Sequence, residues 1–448
     1  GQTGSNDGIG SEAKFRRPDG SVLDASGNLY VADSDNNLIR KIDSSGNVTT
    51  WAGNGDWAHD RMEGPKLEVG FARPSFMAFD SAGNMYVAEN GRHRISKIDT
   101  SGNVTHVSGN GDPGDAIGDK NSTQFRDIGG IVFDSSGNLF VVERNNHKIK
   151  KLVFDPSSGA ATSSEFAGSG SYEYANGNGS DASFRSPSGI AIDSNDNLYV
   201  SDHNNHRIRK ITPSADVSDF AGNGNWGQKD GSLLSARFRN PGPLTFDSNG
   251  DLWVADQGAN TIIKIDISEG YVSKFAGKVG NNAHKDGSLD EAKFSRSMGL
   301  SINDSSIFIV DNESHRVRKI DLSPSITIPA TQTSASITLK GIDDYTFENA
   351  ESITLGVGTK LNVSAASTFS NLAVTLNSGD PLPVVRLSSQ EDVLDETGTV
   401  ELKVSLSDSY SSSKLDMDQG SKSDYYYLGE YNGSKYYSAK NDHLQFDT

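Results

Sequence analysis

The sequence predicts an all-β protein, a six-bladed β-propeller followed by a second, more acidic β region. The first observation is that six phenylalanines recur at spacings of 56, 54, 59, 54 and 56 residues: Phe15, Phe71, Phe125, Phe184, Phe238 and Phe294. The second is that each opens a segment of short β-forming runs separated by turns. The third is that residues 323–448 hold 8 Lys and Arg against 17 Asp and Glu, half of the net charge of −18, which marks a boundary near residue 322.

The unit that begins at Phe184 shows why each segment predicts a blade. GIAID is a short apolar strand, and SNDN is a turn, because Asn and Asp tolerate left-handed backbone. NLYVSD is rich in aromatic and β-branched residues, HRIRKI alternates with period two, and VSDFAG supplies a fourth strand. Four short antiparallel strands, repeated six times, are typical of a propeller, in which each blade buries its faces against its neighbours.

Composition excludes several classes of function. A net charge of −18 opposes binding to phosphate backbones, so we expect no nucleic-acid partner. Cysteine is absent, which excludes disulfides, thiolate metal sites and cysteine nucleophiles. We find no apolar run as long as the ~18 residues of a membrane span and therefore expect none.

The repeated units resemble NHL repeats, which are named for motifs such as the NNHRI that ends at Ile208. The resemblance covers about 1–322, recurs six times and implies a six-bladed propeller. In that family the faces and the central channel bind proteins, glycans or RNA, and a few members are lyases. The first residues, GQTGSNDG, match a loop that follows an outer strand elsewhere. We therefore expect the native chain to extend N-terminally and to supply the outer strand of the last blade.

Two polar positions recur in every blade. One holds His93, His147, His206 and His315, with Asn37 and Asn260 in the other two blades. The other holds the acids that end the second strand: Asp33, Glu89, Glu143, Asp202, Asp256 and Asp311. A metal site is the alternative for the histidines, but we expect each to cap a turn and bond its own blade's backbone. We expect the acids to pair with the following Arg or Lys, or with backbone N–H groups.

The loops before each phenylalanine vary most between the units. They carry Trp57, Tyr172, Tyr174 and Trp226, which we predict to be partner-binding residues, since loops on a rigid scaffold are common recognition sites. The alternative is that these rings pack between neighbouring blades. We expect the channel itself to hold water and small polar side chains.

The C-terminal part resembles Calx-β modules, which are β-sandwiches of cell-surface proteins. Residues 323–384, with the stretch GIDDYTFENAESITL, are similar to the second half of such a module, and 385–423 to a first half. The resemblance implies a calcium (Ca2+) site formed by Asp343, Asp344, Glu348 and Glu351, and calcium takes 6–8 oxygen ligands. The alternative is a solvated acidic turn. Residues 424–448 resemble the start of a C-type-lectin-like domain, with a Tyr-rich hairpin as the alternative.

These features together predict an extracellular or cell-surface protein that works by adhesion or recognition. The propeller is the binding scaffold, and the expected partner is a protein or glycan on a cell surface, with self-assembly between neighbouring copies left open. One alternative is a structural component of a surface appendage, filament or phage particle. Another is a propeller lyase or hydrolase. We favour a protein without catalysis, because symmetric blades give each His the same surroundings, whereas catalysis requires one asymmetric cluster.

Overall fold

The computed structural model describes residues 2–57, 62–280 and 283–322, and the backbone of eight strands in 323–448. The chain divides into two compact units, Gly1–Leu322 and Ser323–Thr448. The first unit is an all-β propeller of six sheets, which confirms the predicted six blades.

Each of blades 1 to 5 is an antiparallel sheet of five strands. Counted from the channel outward they are the inner, second, third, outer and edge strands. The inner strands are Ser21–Leu23, Pro74–Phe79, Ile128–Phe133, Pro187–Ile192 and Pro241–Phe246. The second strands are Leu29–Asp33, Met85–Glu89, Leu139–Glu143, Leu198–Asp202 and Leu252–Asp256. The third strands are Leu38–Ile42, Arg94–Ile98, Lys148–Phe154, Arg207–Ile211 and Thr261–Asp266, and the outer strands are Asn47–Ala52, Asn103–Ser108, Ala161–Ala167, Asp216–Ala221 and Tyr271–Ala276.

The edge strands correct the prediction of four strands per blade. They are two-residue segments of the loops that precede the phenylalanines: Gly8–Ile9, Gly64–Pro65, Gly118–Asp119, Gly177–Asn178 and Gly231–Ser232. In blade 1, Gly8 pairs with Val48 of the outer strand. The loop therefore covers the exposed edge of its own blade before the chain returns to the channel, and a covered edge resists pairing with other chains.

The described part of blade 6 has three strands, Ser297–Asn303, Ser306–Asp311 and Arg316–Asp321. Blade 6 closes the ring against blade 1 through hydrogen bonds. Asn312 donates from Nδ2 to the carbonyl of Pro18 at 3.0 Å, and the hydroxyls of Ser21 and Ser301 lie 2.8 Å apart. Short 3-10 turns complete the described secondary structure: Gly10–Glu12, Ser34–Asn36, Gly179–Asp181 and His203–Asn205.

The core lies between the blades. All six repeated phenylalanines are buried, with at most 5% of their surface exposed. Aromatic rings from adjoining blades meet edge to face, as Tyr30 of blade 1 does with Phe79 of blade 2 at 5.6 Å between centroids. A single blade therefore leaves large apolar faces uncovered, and only the closed ring buries them.

The second unit contains eight described strands: Thr338–Lys340, Ser352–Gly356, Thr375–Asn377, Val385–Ser388, Glu401–Leu406, Tyr425–Tyr431, Ser434–Ala439 and Leu444–Asp447. Ser352–Gly356, from 323–384, pairs with Glu401–Leu406, from 385–423. The predicted β-sandwich and the lectin-like start at 424–448 otherwise lie outside the described residues, and both stay predictions. Within the residues that the structure describes, no helix is long and apolar enough to span a bilayer.

Candidate ligand site at the channel mouth

The inner strands enclose a narrow central channel. Glycines allow their backbones to approach closely: a Cβ on Gly189 would lie 2.4 Å from the carbonyl oxygen of Gly242, and one on Gly20 would lie 2.5 Å from that of Ser75. The channel encloses about 480 Å³, and its apolar end is lined by residues such as Leu23, Phe79 and Phe246.

The other end of the channel opens into a cavity of about 440 Å³, which we call the channel mouth. Its charged lining residues and its histidine are Arg17, Asp19, Arg73, His93, Arg126, Asp127, Arg144 and Arg296. Five arginines thus face two aspartates in a protein with a net charge of −18. Among the described residues, only blades 6, 1, 2 and 3 line the mouth, so it is asymmetric and differs from the small polar channel that the repeats predict.

Three of these arginines occupy the second position after the blade phenylalanine. Arg17, Arg73 and Arg296 have φ angles of 45°, 48° and 51°, in the left-handed region that a bulky residue rarely adopts. Each backbone N–H is held by the preceding blade: Arg73 donates to Oδ1 of Asn37 at 3.1 Å, and Arg17 to Nδ1 of His315 at 3.0 Å. These bonds stabilise the unusual backbone and fix the arginines at the mouth.

The repeated His and Asn position is therefore structural, but the bond that recurs is not the expected one to its own blade. In four of the six blades the side chain accepts a hydrogen bond from a backbone N–H of the next blade, as His147 does from Ser186 at 3.3 Å, and His147 also bonds the backbone of Arg144 in its own blade. The residues at this position also have left-handed φ angles, between 48° and 58°, within the turn before the third strand. In His93 and His206, Nδ1 is buried and has no hydrogen-bond partner among the described residues.

The repeated acids pair as predicted. All six have at most 1% of their surface exposed, and each accepts a backbone N–H from the start of its own blade, as Asp33 does from Arg16 at 2.7 Å. Asp33 also pairs with Arg40 at 3.0 Å. Burial raises the pKa of Asp33 to about 6 and that of Glu143 to about 7, against the lowering effect of Arg40 and Lys150. In blade 5 an isoleucine, Ile263, replaces the cation, and backbone N–H groups such as those of Arg239 and Asn240 bind the acid.

The residue after each of these acids bonds to the next blade, with one exception. Asn90, Gln257 and Asn312 donate side-chain N–H groups to carbonyls of the next blade's Ile128, Ser297 and Pro18, at 2.9 to 3.0 Å. His203 does the same from Nδ1 to Pro241 at 2.9 Å, and burial lowers its pKa to about 4, so its ring is neutral at pH 7.

The exception is Arg144 in blade 3, whose side chain lines the mouth instead. Its guanidinium carbon lies 5.5 Å from the ring centroid of Phe76, and its Nη1 lies 3.9 Å from Asp127. Its Nε is buried and has no partner among the described residues. A Cβ on Gly129 would lie 3.0 Å from Cγ and Nε of Arg144, so the glycine provides the room for this side chain.

Asp19 is the second departure from the repeat. At the equivalent position the other blades carry Ser75, Gly129, Ser188, Gly242 and Met298. Asn312 donates from Nδ2 to Oδ1 of Asp19 at 2.8 Å. Enclosure raises the pKa of Asp19, and the positive charges of Arg144, Arg73 and Arg296 lower it by less.

The four predicted partner-binding aromatics lie on the loops and do not line the mouth cavity. All are exposed, by 46% for Trp57, 52% for Tyr172, 42% for Tyr174 and 60% for Trp226. Three stack on arginines of their own blades: Tyr172 on Arg185, Tyr174 on Arg207 and Trp226 on Arg239, at 4.6 to 4.9 Å. Trp57 lies beside Gly91, whose Cβ would be 3.0 Å from its ring. Their role in binding a partner stays a prediction.

Sequence reasoning missed the arginines because they come from different positions of different blades. Two features of the sequence could have indicated the site. One is the arginine at the third position of FRRP, FARP and FSRS, and the other is the arginine of ERNN, where the other blades have Ser, Asn, His or Gln. The planar guanidinium group suits carboxylates and phosphates, so the mouth can bind an anion. No group of three or more His, Asp and Glu residues in the described parts of the chain is arranged to hold a metal. Asp343, Asp344, Glu348 and Glu351 lie outside those parts.

Comparison with known proteins supports the repeat assignment. The model of the NHL repeat matches residues 184–211, in blade 4. The chain is 31% identical over 286 residues to Protein SUPPRESSOR OF QUENCHING 1, chloroplastic, of Arabidopsis thaliana, an alignment of 60% of this chain and 27% of that protein. It is 28% identical over 336 residues to human NHL repeat-containing protein 2, covering 71% of this chain and 41% of that one. The chain thus spans less than half of these relatives.

A solved structure shows the same fold. It is a structural genomics protein of unknown function from Bacteroides thetaiotaomicron, with a TM-score of 0.52 and 20% identity over 71% of this chain and 72% of that one. At this identity the likeness concerns the fold alone. The predicted NHL repeats and six-bladed propeller are confirmed.

Proposed function

We propose that the propeller is a recognition module that binds an anionic group of its partner at the channel mouth. The observation that carries the proposal is the excess of arginine over aspartate in one 440 Å³ cavity of an otherwise acidic protein. Cavities of roughly 300–1,000 Å³ are typical of small-ligand sites. In this proposal the protein acts at a cell surface in adhesion or recognition, and the loop aromatics extend the contact.

The arrangement supports binding better than catalysis. Arg144 has a buried Nε with no partner among the described residues, and an enclosed guanidinium gains most when an anion replaces its lost water. One observation favours a lyase or hydrolase as a second candidate. His93, whose pKa burial lowers, lines the same cavity as Asp19, and its Nδ1 is free of partners in the described residues. His93→Asn, which copies blades 1 and 5, retains binding if the mouth is a recognition site.

The test is calorimetric titration of the full chain with trigalacturonate and a heparin tetrasaccharide, with maltotriose as the neutral control. We expect at least one acidic oligosaccharide to bind. Arg144→Asn, which copies Asn90 and Asn312 of blades 2 and 6, then weakens that binding by about tenfold or more, because it removes a charge-assisted contact. Arg237→Asn removes an exposed arginine outside the mouth and leaves the affinity unchanged. Failure of both acidic probes to bind, or equal loss in the two variants, contradicts the proposal.

A further inference from the structure

Asp19 places a carboxylate among the arginines of the channel mouth. Blades 2 and 4 carry Ser75 and Ser188 at this position, so the blade fold itself does not require an acid there. Asn312 donates a hydrogen bond to Asp19. A carboxylate has about four acceptor positions, so Asp19 can accept further bonds from a ligand in the cavity.

Asp19 restricts which anions fit beside the arginines. A phosphate monoester is a dianion at neutral pH, so the carboxylate of Asp19 would repel it more strongly than it repels the single charge of another carboxylate. A zwitterion with an ammonium group would satisfy Asp19, but the five arginines in the same cavity would repel that second positive charge. A monoanion with several hydroxyl groups meets both requirements, because it offers one carboxylate to the arginines and neutral donors to Asp19.

We propose that the mouth selects a carboxylated sugar of the uronate class, with Asp19 as the specificity-determining residue. This inference rests on the proposed function. The carboxylate of the sugar binds Arg144 and its neighbours Arg73 and Arg296, and its hydroxyls donate to Asp19. Trp57 stands beside Gly91, next to Asn90 of the mouth lining, where its exposed ring can stack on the apolar face of an adjoining sugar.

Titrations with D-galacturonate, D-glucose 6-phosphate and D-galactose test this selectivity. We expect the full chain to bind galacturonate about tenfold or more tightly than glucose 6-phosphate, and galactose not measurably. Asp19→Asn keeps an oxygen acceptor for Asn312 but removes the charge. We expect it to tighten glucose 6-phosphate binding and to reduce the preference for galacturonate by about tenfold. Asp19→Ser, which copies blades 2 and 4, gives the same change of preference if Asp19→Asn does not fold.

Two outcomes overturn the inference while the anion site survives. One is equal or tighter binding of glucose 6-phosphate by the native chain, and the other is an unchanged preference in both Asp19 variants. If none of the three small probes binds, the uronate assignment fails. The separate titrations with trigalacturonate and the heparin tetrasaccharide then decide whether anion recognition at the mouth fails with it.

Discussion

We expect His203 to make the propeller sensitive to mild acid, and His203→Gln to remove that sensitivity. The side chain donates from Nδ1 to the carbonyl of Pro241 and is buried next to Arg144 and Arg296, so protonation of its ring is unfavourable. Blade 5 carries Gln257 at the equivalent position, where it donates to the carbonyl of Ser297 at 2.9 Å. The glutamine variant therefore keeps the bond between blades and removes only the titration.

The size of the effect follows from the two pKa values of His203. Its pKa is about 4 in the folded protein, against 6.5 for the ordinary side chain. As the pH falls below 6.5 the unfolded chain takes up a proton that the folded chain does not, so the folded state loses stability until the pH reaches about 4. At pH 5 this difference amounts to about 2 kcal/mol, at 1.36 kcal/mol for each pKa unit between the two states.

Urea unfolding of the native chain and the variant at pH 8 and pH 5, followed by tryptophan fluorescence, measures this difference. We expect similar free energies of unfolding at pH 8 and an advantage of about 2 kcal/mol for His203→Gln at pH 5. The reciprocal variant Gln257→His should acquire the acid sensitivity. Free energies that fall in parallel for the native chain and His203→Gln would refute the argument, since other groups titrate in both proteins.

Three further predictions concern the scaffold and the C-terminal part. Phe184→Ala should lower the free energy of unfolding by roughly 3–5 kcal/mol, because the ring is fully buried; a loss below about 1 kcal/mol contradicts this. Gly189→Ala should destabilise the propeller by roughly 1–3 kcal/mol, since its Cβ would lie 2.4 Å from the carbonyl oxygen of Gly242. Gly137→Ala is the control for steric crowding, because its Cβ would lie in open space; its φ of 80° gives it a backbone cost of its own. If Asp343, Asp344, Glu348 and Glu351 bind calcium, chelation should lower the melting temperature of the C-terminal part, and Asp344→Ala should abolish that change; indifference of the native chain to chelator contradicts the site.

The repeat made the scaffold predictable from sequence. Phe184 and its equivalents mark each blade, because one large ring per unit is buried against the next unit. The regular spacing of the six phenylalanines along the sequence reflects this requirement. The buried acids could also be predicted, since Asp33 and Arg40 lie seven residues apart on adjoining strands and recur in other blades as Asp202 and Arg209.

The edge strands and the bonds between blades could not be predicted in the same way. Gly8–Ile9 has only two residues and no alternation of polar and apolar positions, so its pairing depends on where the loop lies in the folded blade. The hydrogen bond from the N–H of Arg17 to His315 joins residues 298 positions apart, and only closure of the ring brings them together.

The channel mouth could not be predicted from the repeat, because its characteristic residues differ from those at the same positions of the other blades. Asp19 and Arg144 each replace a residue type that recurs in other blades, and they come together only in the lining of the channel mouth. The repeat predicts that residues at the same position of each blade have the same surroundings, whereas the proposed ligand site is formed by positions at which the blades differ.

A crystal structure of the full chain with trigalacturonate would show whether the channel mouth is the ligand site. We expect density for the oligosaccharide in the channel mouth, with one carboxylate within hydrogen-bond distance of Arg144 and a sugar hydroxyl within that distance of Asp19. Density for the ligand only on the outer surfaces of the blades or at the apolar end of the channel, with the mouth empty, would contradict it.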